Sequence, residues 1–405
     1  MRRRVVITGL GAVTSIGIGA AAFRDGLRQG VSGMREPIIG FDTTGFACRR
    51  AGEVQDFDPA RWVHRLDPST LGRSSQFSVA AARMAIEDAG IDPSLLQRER
   101  CGVSIGTTEG EPRVEATLVE QWLAAGPEHL DPALLRQAPA EQLSRSVARE
   151  FHLSGETITL STACAAGNYA VAYAFDLIQS GEADWMLCGG ADSLSRTALA
   201  GFYRLGAISP DHCRPFDANR QGFFTGEGAG VLLLETVESA RARGAHIYAE
   251  MLGYGLNCDA SQPTAPELES IVRCMRLAHA RAGVRPDDVD YICAHGTATR
   301  LNDVVESAAI REVFGDRPLP VSSIKSMLGH TMGAASALAS VACALALDGG
   351  FLPPTINFET PDPQCVADCV PNTMRPADLR VIQNNSFAFG GNNAIILFGK
   401  HAANL

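Results

Sequence analysis

Thr157-Ile158-Thr159-Leu160-Ser161-Thr162-Ala163-Cys164-Ala165-Ala166-Gly167-Asn168-Tyr169 is the stretch whose reading fixes the rest of the chain. A β-branched run ends before Ala163, and an uncharged, alanine-rich helical stretch begins after it. That order places the Cys164 thiol at the mouth of a helix, where unpaired N–H groups and the helix dipole favour a thiolate. Two further strand-to-loop segments carry imidazoles: Ala294-His295-Gly296-Thr297-Ala298-Thr299 and Lys325-Ser326-Met327-Leu328-Gly329-His330. One thiol and two imidazoles at three such junctions point to covalent chemistry on an acyl group.

Around these junctions helical and strand patterns alternate, which defines an α/β chain with mostly buried strands. Phe77 to Ala89 reads as a helix, Gly102 to Ile105 as a strand, Tyr169 to Gln179 as a helix, and Trp185 to Cys188 and Val231 to Leu234 as strands. The segment 108–151 carries no strand signal and reads as a helical, polar insertion, covering the first half or lying at a subunit interface. The chain also echoes itself. Ile86-Glu-Asp-Ala-Gly90 before a strand ending at Gly106-Thr107 is matched by Ala280-Arg-Ala-Gly283 before a strand ending at Gly296-Thr297. The strand, thiol and helix around Cys164 are matched by Val321–Ile324, His330 and the alanine-rich helix beyond. Gly228-Ala-Gly230 before an aliphatic run is matched by Gly390-Gly391 before another. Three echoes in one order predict two similar halves, 1–245 and 246–405, with their catalytic turns face to face.

Bulk properties narrow the class. The 405 residues are 46% hydrophobic and 20% charged, an ordinary globular balance that allows a large core. A net charge of −10 and the absence of a basic, aromatic-interleaved stripe argue against nucleic acid. Met1-Arg-Arg-Arg4 precedes an uncharged run from Val5 to Phe23, superficially a signal peptide or membrane span. That run holds four glycines with Thr8, Thr14 and Ser15, so a first strand at Val5–Thr8 and a short helix ending near Gly30 fit better. Eleven cysteines without zinc-ligand spacing, several inside apolar runs, fit a reduced cytoplasmic protein with no membrane association. Gly9-Leu-Gly11 is rejected as a dinucleotide loop, because the third glycine and the following acid are misplaced.

Each candidate has a plainer alternative. A random cysteine is most often a buried structural thiol. Here Ala163, Ala165, Ala166 and Gly167 leave space around the sulfur, and the context resembles the strand–turn–helix elbow of hydrolases without its flanking glycines. Hydrolysis uses one base and an orienting carboxylate, whereas two neutral imidazoles suit a developing enolate oxygen. Metal binding stays open as a third use of the histidines, but no third ligand recommends itself. Lys325 and Glu306 are expected as a buried pair that fixes the histidine loops. Asn385-Ser-Phe387-Ala-Phe389-Gly-Gly-Asn-Asn393 reads as a core turn or as a gate, with Phe389 the movable ring and its N–H an oxyanion donor.

Together these motifs resemble the β-ketoacyl-[acyl carrier protein] synthases, the decarboxylating condensing enzymes of fatty acid and polyketide synthesis. The resemblance runs from Val6-Ile-Thr-Gly9 through Phe41-Asp-Thr43, Arg214-Pro-Phe-Asp217 and Gly226-Glu-Gly228 to Asn385-Ser-Phe387. It implies a thiolase fold with a layered α-β-α-β-α core, and a homodimer or a heterodimer with a related chain. It implies Cys164, His295, His330, Lys325 and Glu306 as the catalytic set. It also implies Cys164 and Phe389 N–H groups as the oxyanion hole beside Phe387, and Thr297 and Thr299 against the pantetheine arm. The partner implied is an acidic acyl carrier protein, whose own arm is the only cofactor needed. By family position Arg61, Arg65, Arg73 and Arg204 dock it, and Glu109 lies in the acyl pocket. The competing reading is a non-catalytic, chain-length-factor-like partner, which lacks the cysteine; a degradative thiolase lacks its second cysteine here. Ala298 and Ala388 replace glycines common in the family, so a stiffer gate loop is expected. A carboxylate at Glu109 against an alkyl chain is costly, which suggests a specialised acyl substrate.

Overall fold

A computed structural model describes residues 3–98 and 100–401. Its thirteen strands are β1 Val5–Thr14, β2 Gly17–Ile18, β3 Cys101–Gly106, β4 Thr157–Leu160, β5 Trp185–Asp192, β6 Gly228–Thr236, β7 Ala249–Cys258, β8 Tyr291–Cys293, β9 Val321–Ser322, β10 Phe351–Leu352, β11 Arg375–Pro376, β12 Val381–Phe387 and β13 Asn392–Gly399. The main sheet runs β4-β3-β5-β6-β1-β7-β13-β12-β8-β9, with β2 paired to β1. This order is mirrored about the short β1–β7 junction, where only Val5–Ile7 meets Ala249–Met251. The three sequence echoes fall on mirrored positions: β3 with β8, β4 with β9, and β6 with β13.

Helices complete the layers. Arg73–Asp88 and Gln142–Phe151 cover the outer face of the first half, and Leu268–Ala282 with Arg300–Phe314 cover that of the second. Between the halves lie Ala166–Ser180 and Ala334–Gly349, each packed on strands of both. The latter is apolar or small on every side from Ala334 to Leu347 and is buried throughout, as a helix between two sheets must be. Three apolar clusters fill the spaces between the five layers.

Small residues set the spacing that the site depends on. A Cβ on Gly167 would lie 2.6 Å from the backbone nitrogen of Ala337 on the facing central helix. The glycine therefore lets the helix after Cys164 and the helix after His330 touch backbone to backbone. Gly11, from the rejected dinucleotide motif, lies inside β1; its missing Cβ would sit 1.8 Å from the Ala81 carbonyl. It serves close helix–sheet packing. The first strand is longer than expected, because all ten residues of β1 are buried. Its N-terminal flank, Met1 and Arg2, lies outside the described residues. The segment 108–151 folds as helices Pro112–Ala125, Pro132–Gln137 and Gln142–Phe151, without a strand.

Candidate active site

β4 ends at Leu160, and a single 3-10 turn over Ala163–Ala165 leads into the helix Ala166–Ser180. Ala163 is held at φ 49°, a left-handed conformation that costs a non-glycine residue about 1–2 kcal/mol. The strain turns the next side chain, Cys164, inward. The Ser386 hydroxyl donates to the Cys164 carbonyl at 3.0 Å, tying the turn to the end of β12.

His330 reaches this sulfur directly: its Nε2 lies 3.1 Å from Cys164 Sγ. The backbone around His330 is fixed by its N–H to the Phe224 carbonyl at 2.7 Å. The Met332 N–H donates to His330 Nδ1 at 3.2 Å, so the ring's proton belongs on Nε2, facing the sulfur. The His295 ring stands 5.7 Å from that of His330, edge to face. Burial, the Lys325 charge and the neighbouring His330 hold His295 well below the usual imidazole range; burial and Lys325 do the same to His330. Both rings are therefore neutral. The sulfur is also neutral at rest, because burial pushes the Cys164 thiol up to about 11 despite the Lys325 charge and the N–H of Phe389. The sequence expectation of a resting thiolate is corrected: desolvation of the buried sulfur outweighs the helix mouth.

The expected Lys325–Glu306 pair is also corrected. Among the described residues no direct ion pair joins the two, and each instead grips His295 from its own side. Lys325 Nζ donates to the His295 carbonyl at 2.6 Å and lies 3.5 Å from His295 Nδ1. Glu306 accepts the N–H groups of His295 and Gly296 at 2.9 and 2.8 Å and the Asn385 amide at 3.0 Å. A cation aimed at Nδ1 leaves the His295 proton on Nε2, as in His330.

Cys164, His295 and His330 line the inner end of one cavity of about 290 Å³. Cys164, His295, His330 and Phe387 form its floor, Thr297 and Thr299 one wall, and Leu205, Leu301 and Phe389 its rim. The backbone N–H groups of Phe389 and of Cys164 itself lower the thiol's pKa against the larger rise from burial. Phe389 is 39% exposed and packs on Phe202 at 5.9 Å between centroids, while Phe387 is buried against His295. The Thr297 and Thr299 hydroxyls share a hydrogen bond of 2.8 Å. Ala298 between them adopts φ 62° despite its methyl, so this wall is held in place under strain. In the gate turn the left-handed positions are Gly390 and Gly391, not Ala388, so the extra methyl there does not oppose the turn.

Several expected residues lie elsewhere. Glu109 is not in the cavity lining; its carboxylate accepts from the Ser195 hydroxyl at 2.9 Å, and burial raises its pKa. Arg73 is no docking residue. Its guanidinium is turned inward onto Glu227 at 2.7 Å and over the Phe77 ring. Arg61 and Arg65 are exposed, with Arg65 on a separate groove beside Arg145 and Arg149. Arg204 is exposed on the helix that also carries Phe202 to the cavity rim.

Sequence reasoning missed Asp192. Fully buried at the end of β5, it accepts from Thr107, Thr108 and Gly333 and so ties the loop after β3 to the helix after His330. Its only trace in the sequence is an acid closing an apolar run. It also missed Pro263, Thr264 and Pro266, which also line the cavity, with no signal beyond a proline-rich loop.

A layered, two-fold-repeated α/β core with a buried Cys–His–His floor defines a condensing-enzyme class of the thiolase fold. The family models for the β-ketoacyl synthase N-terminal domain and C-terminal domain match residues 2–240 and 248–359. The chain belongs to the β-ketoacyl synthase family. It is 40% identical to a 3-oxoacyl-[acyl-carrier-protein] synthase 2 of Synechocystis sp., covering 99% of both chains, and 37% identical to one of Staphylococcus aureus over the same shares. Among solved structures, the ishigamide ketosynthase/chain length factor superposes with a TM-score of 0.97 at 53% identity, covering 99% of this chain and 100% of that one. A type II polyketide ketosynthase in complex with its acyl-carrier protein superposes at 0.91 with 33% identity, over the same shares.

Proposed function

We propose that this chain is an active β-ketoacyl-[acyl carrier protein] synthase, an acyltransferase that elongates a carrier-bound acyl chain. The observation that carries the reading is the 3.1 Å approach of His330 Nε2 to Cys164 Sγ, with His295 beside it. In the first half-reaction the Cys164 sulfur attacks the thioester carbonyl of an acyl carrier protein. The oxyanion is held by the N–H groups of Cys164 and Phe389. The C–S bond to the carrier breaks, and the carrier's thiol leaves with the proton that Cys164 gave up. In the second, malonyl carrier protein enters along Thr297 and Thr299 and loses carbon dioxide. The C–C electron pair forms an enolate, whose oxygen takes the two Nε2 protons of His295 and His330 as hydrogen bonds. The enolate carbon attacks the acyl-cysteine carbonyl; the C–S bond breaks, and the sulfur takes a proton from solvent as the β-ketoacyl carrier leaves. Lys325 and Glu306 act by holding His295 in register. The carrier's phosphopantetheine arm is the only prosthetic group the scheme uses.

The two halves, 1–245 and 246–405, contribute unequally in this scheme: the first supplies the sulfur and the second both imidazoles. A second synthase-like subunit would pack against β4, which among the described residues pairs only on its β3 side and leaves Thr157 exposed. The partner is this chain or a chain-length-factor-like relative; in the heterodimer this chain is the active half, because it keeps Cys164. Arg204, exposed on the helix that carries Phe202 to the cavity, is the first contact for an acidic carrier, with Arg61 and Arg65 as more distant ones. Among the described residues no helix is long and apolar enough to cross a membrane. Eleven unpaired cysteines are consistent with a reducing cytoplasm. Incubation with acyl and malonyl carrier proteins tests the reading. Carbon dioxide release coupled to a longer product, absent in Cys164→Ala, supports it; no turnover with either carrier supports the non-catalytic alternative.

A further inference from the structure

The geometry points to Arg220 as a positioning residue that sets the outer wall of the pantetheine channel. Arg220 touches no cavity surface and is 3% exposed, yet nearly all of its donors are used. Its Nε donates to the Thr299 carbonyl at 3.3 Å and its Nη2 to the Arg300 carbonyl at 3.0 Å. Its Nη1 donates to the Asp217 carbonyl at 2.8 Å and to Asp362 at 2.6 Å. A planar fork thus bolts two consecutive carbonyls of the channel wall to two other loops.

The same loop grips the wall twice more. The Gly222 N–H donates to the Ala298 carbonyl at 2.9 Å, at the residue held at φ 62°. The Phe216 N–H donates to Asp303 at 2.8 Å, on the first turn of the helix that follows Thr299. Thr299, Arg300, Leu301 and Asn302 all line the cavity, and the first three bear or directly follow a carbonyl that Arg220 holds. Loss of the fork would free the outer wall while leaving the floor intact, since Cys164, His295 and His330 make no bond to it.

This inference rests on the carrier-dependent reading above and assigns Arg220 to recognition of the arm's outer portion. Arg220→Lys keeps a buried positive charge but replaces the flat fork with a point charge that cannot span four acceptors. The test compares acyl transfer from a pantetheine thioester, which carries two amides, with transfer from an N-acetylcysteamine thioester, which carries only the inner one. Iodoacetamide alkylation of Cys164 and the unfolding midpoint report on the floor and the fold. The expected result is that Arg220→Lys lowers the pantetheine-over-N-acetylcysteamine preference in kcat/KM by about tenfold, the value of one well-placed hydrogen bond. Most of the loss lies in KM, and alkylation stays within about twofold of the parent. Asp362→Ala, which loosens one anchor of the fork from the outside, shifts the preference in the same direction by less; it serves as the test should the lysine variant not fold. An unchanged preference, or an equal loss for both thioesters, overturns the proposal. Failure of the parent enzyme to transfer acyl groups from either thioester overturns the synthase reading instead.

Discussion

His330 Nε2 stands 3.1 Å from Cys164 Sγ, and burial keeps both groups neutral. The pair is a thiol beside a neutral imidazole, with the proton still on sulfur. Thiolate chemistry in the free enzyme therefore needs higher pH or a bound carbonyl to receive the charge. The rate of Cys164 alkylation by iodoacetamide is expected to rise about tenfold per pH unit from neutrality to about pH 10. The sign follows from a thiol at about 11, which deprotonates only as pH rises toward that value. A rate that levels off below pH 8 would show a preformed thiolate and contradict this account.

Lys325 depresses both imidazoles by its charge while tethering His295 by its carbonyl. In Lys325→Met the charge is gone, so both histidine pKa values rise and the rings protonate at higher pH than in the parent. The acid limb of malonyl decarboxylation then moves upward, and histidine NMR titrations follow it. His295→Ala removes an enolate donor outright and is expected to cost about 10²–10³ in decarboxylation rate. Acyl loading of Cys164 should persist in that variant, read by intact-protein mass.

Arg73 and Arg204 are expected to behave as a structural arginine and a carrier-docking one, respectively. In Arg73→Met the buried carboxylate of Glu227 keeps, among the described residues, only Arg113 as a charged partner. A loss of about 2–4 kcal/mol in denaturant unfolding is expected, with KM for the carrier unchanged. Arg204→Glu should do the reverse: stability unchanged, and a higher KM whose excess shrinks as salt is added.

Gly167→Ala tests whether the two central helices must touch. Its Cβ would meet the Ala337 backbone at 2.6 Å, and neither helix can yield without moving Cys164 or His330. Overpacking of this kind costs about 1–3 kcal/mol. Condensation is expected to fall further than that stability loss explains, measured as turnover well below the unfolding transition.

The sequence alone determined the fold class and the floor of the site. Strand–turn–helix around Cys164, its echo around His330 and the repeated order of strands were legible because they are local patterns or repeats of them. Tertiary structure decided what depends on distance. Whether Cys164 is a thiolate turns on how deeply it is buried, and whether Lys325 meets Glu306 turns on which side of His295 each arrives from. Arg73 and Arg204 are both arginines of exposed-looking segments; only packing turns one inward to Glu227 and leaves the other exposed on the helix that carries Phe202 to the cavity. Asp192 and Arg220 were silent in the sequence for the same reason. Each acts by joining loops far apart in the chain, and no local pattern encodes the partners a buried charge will find.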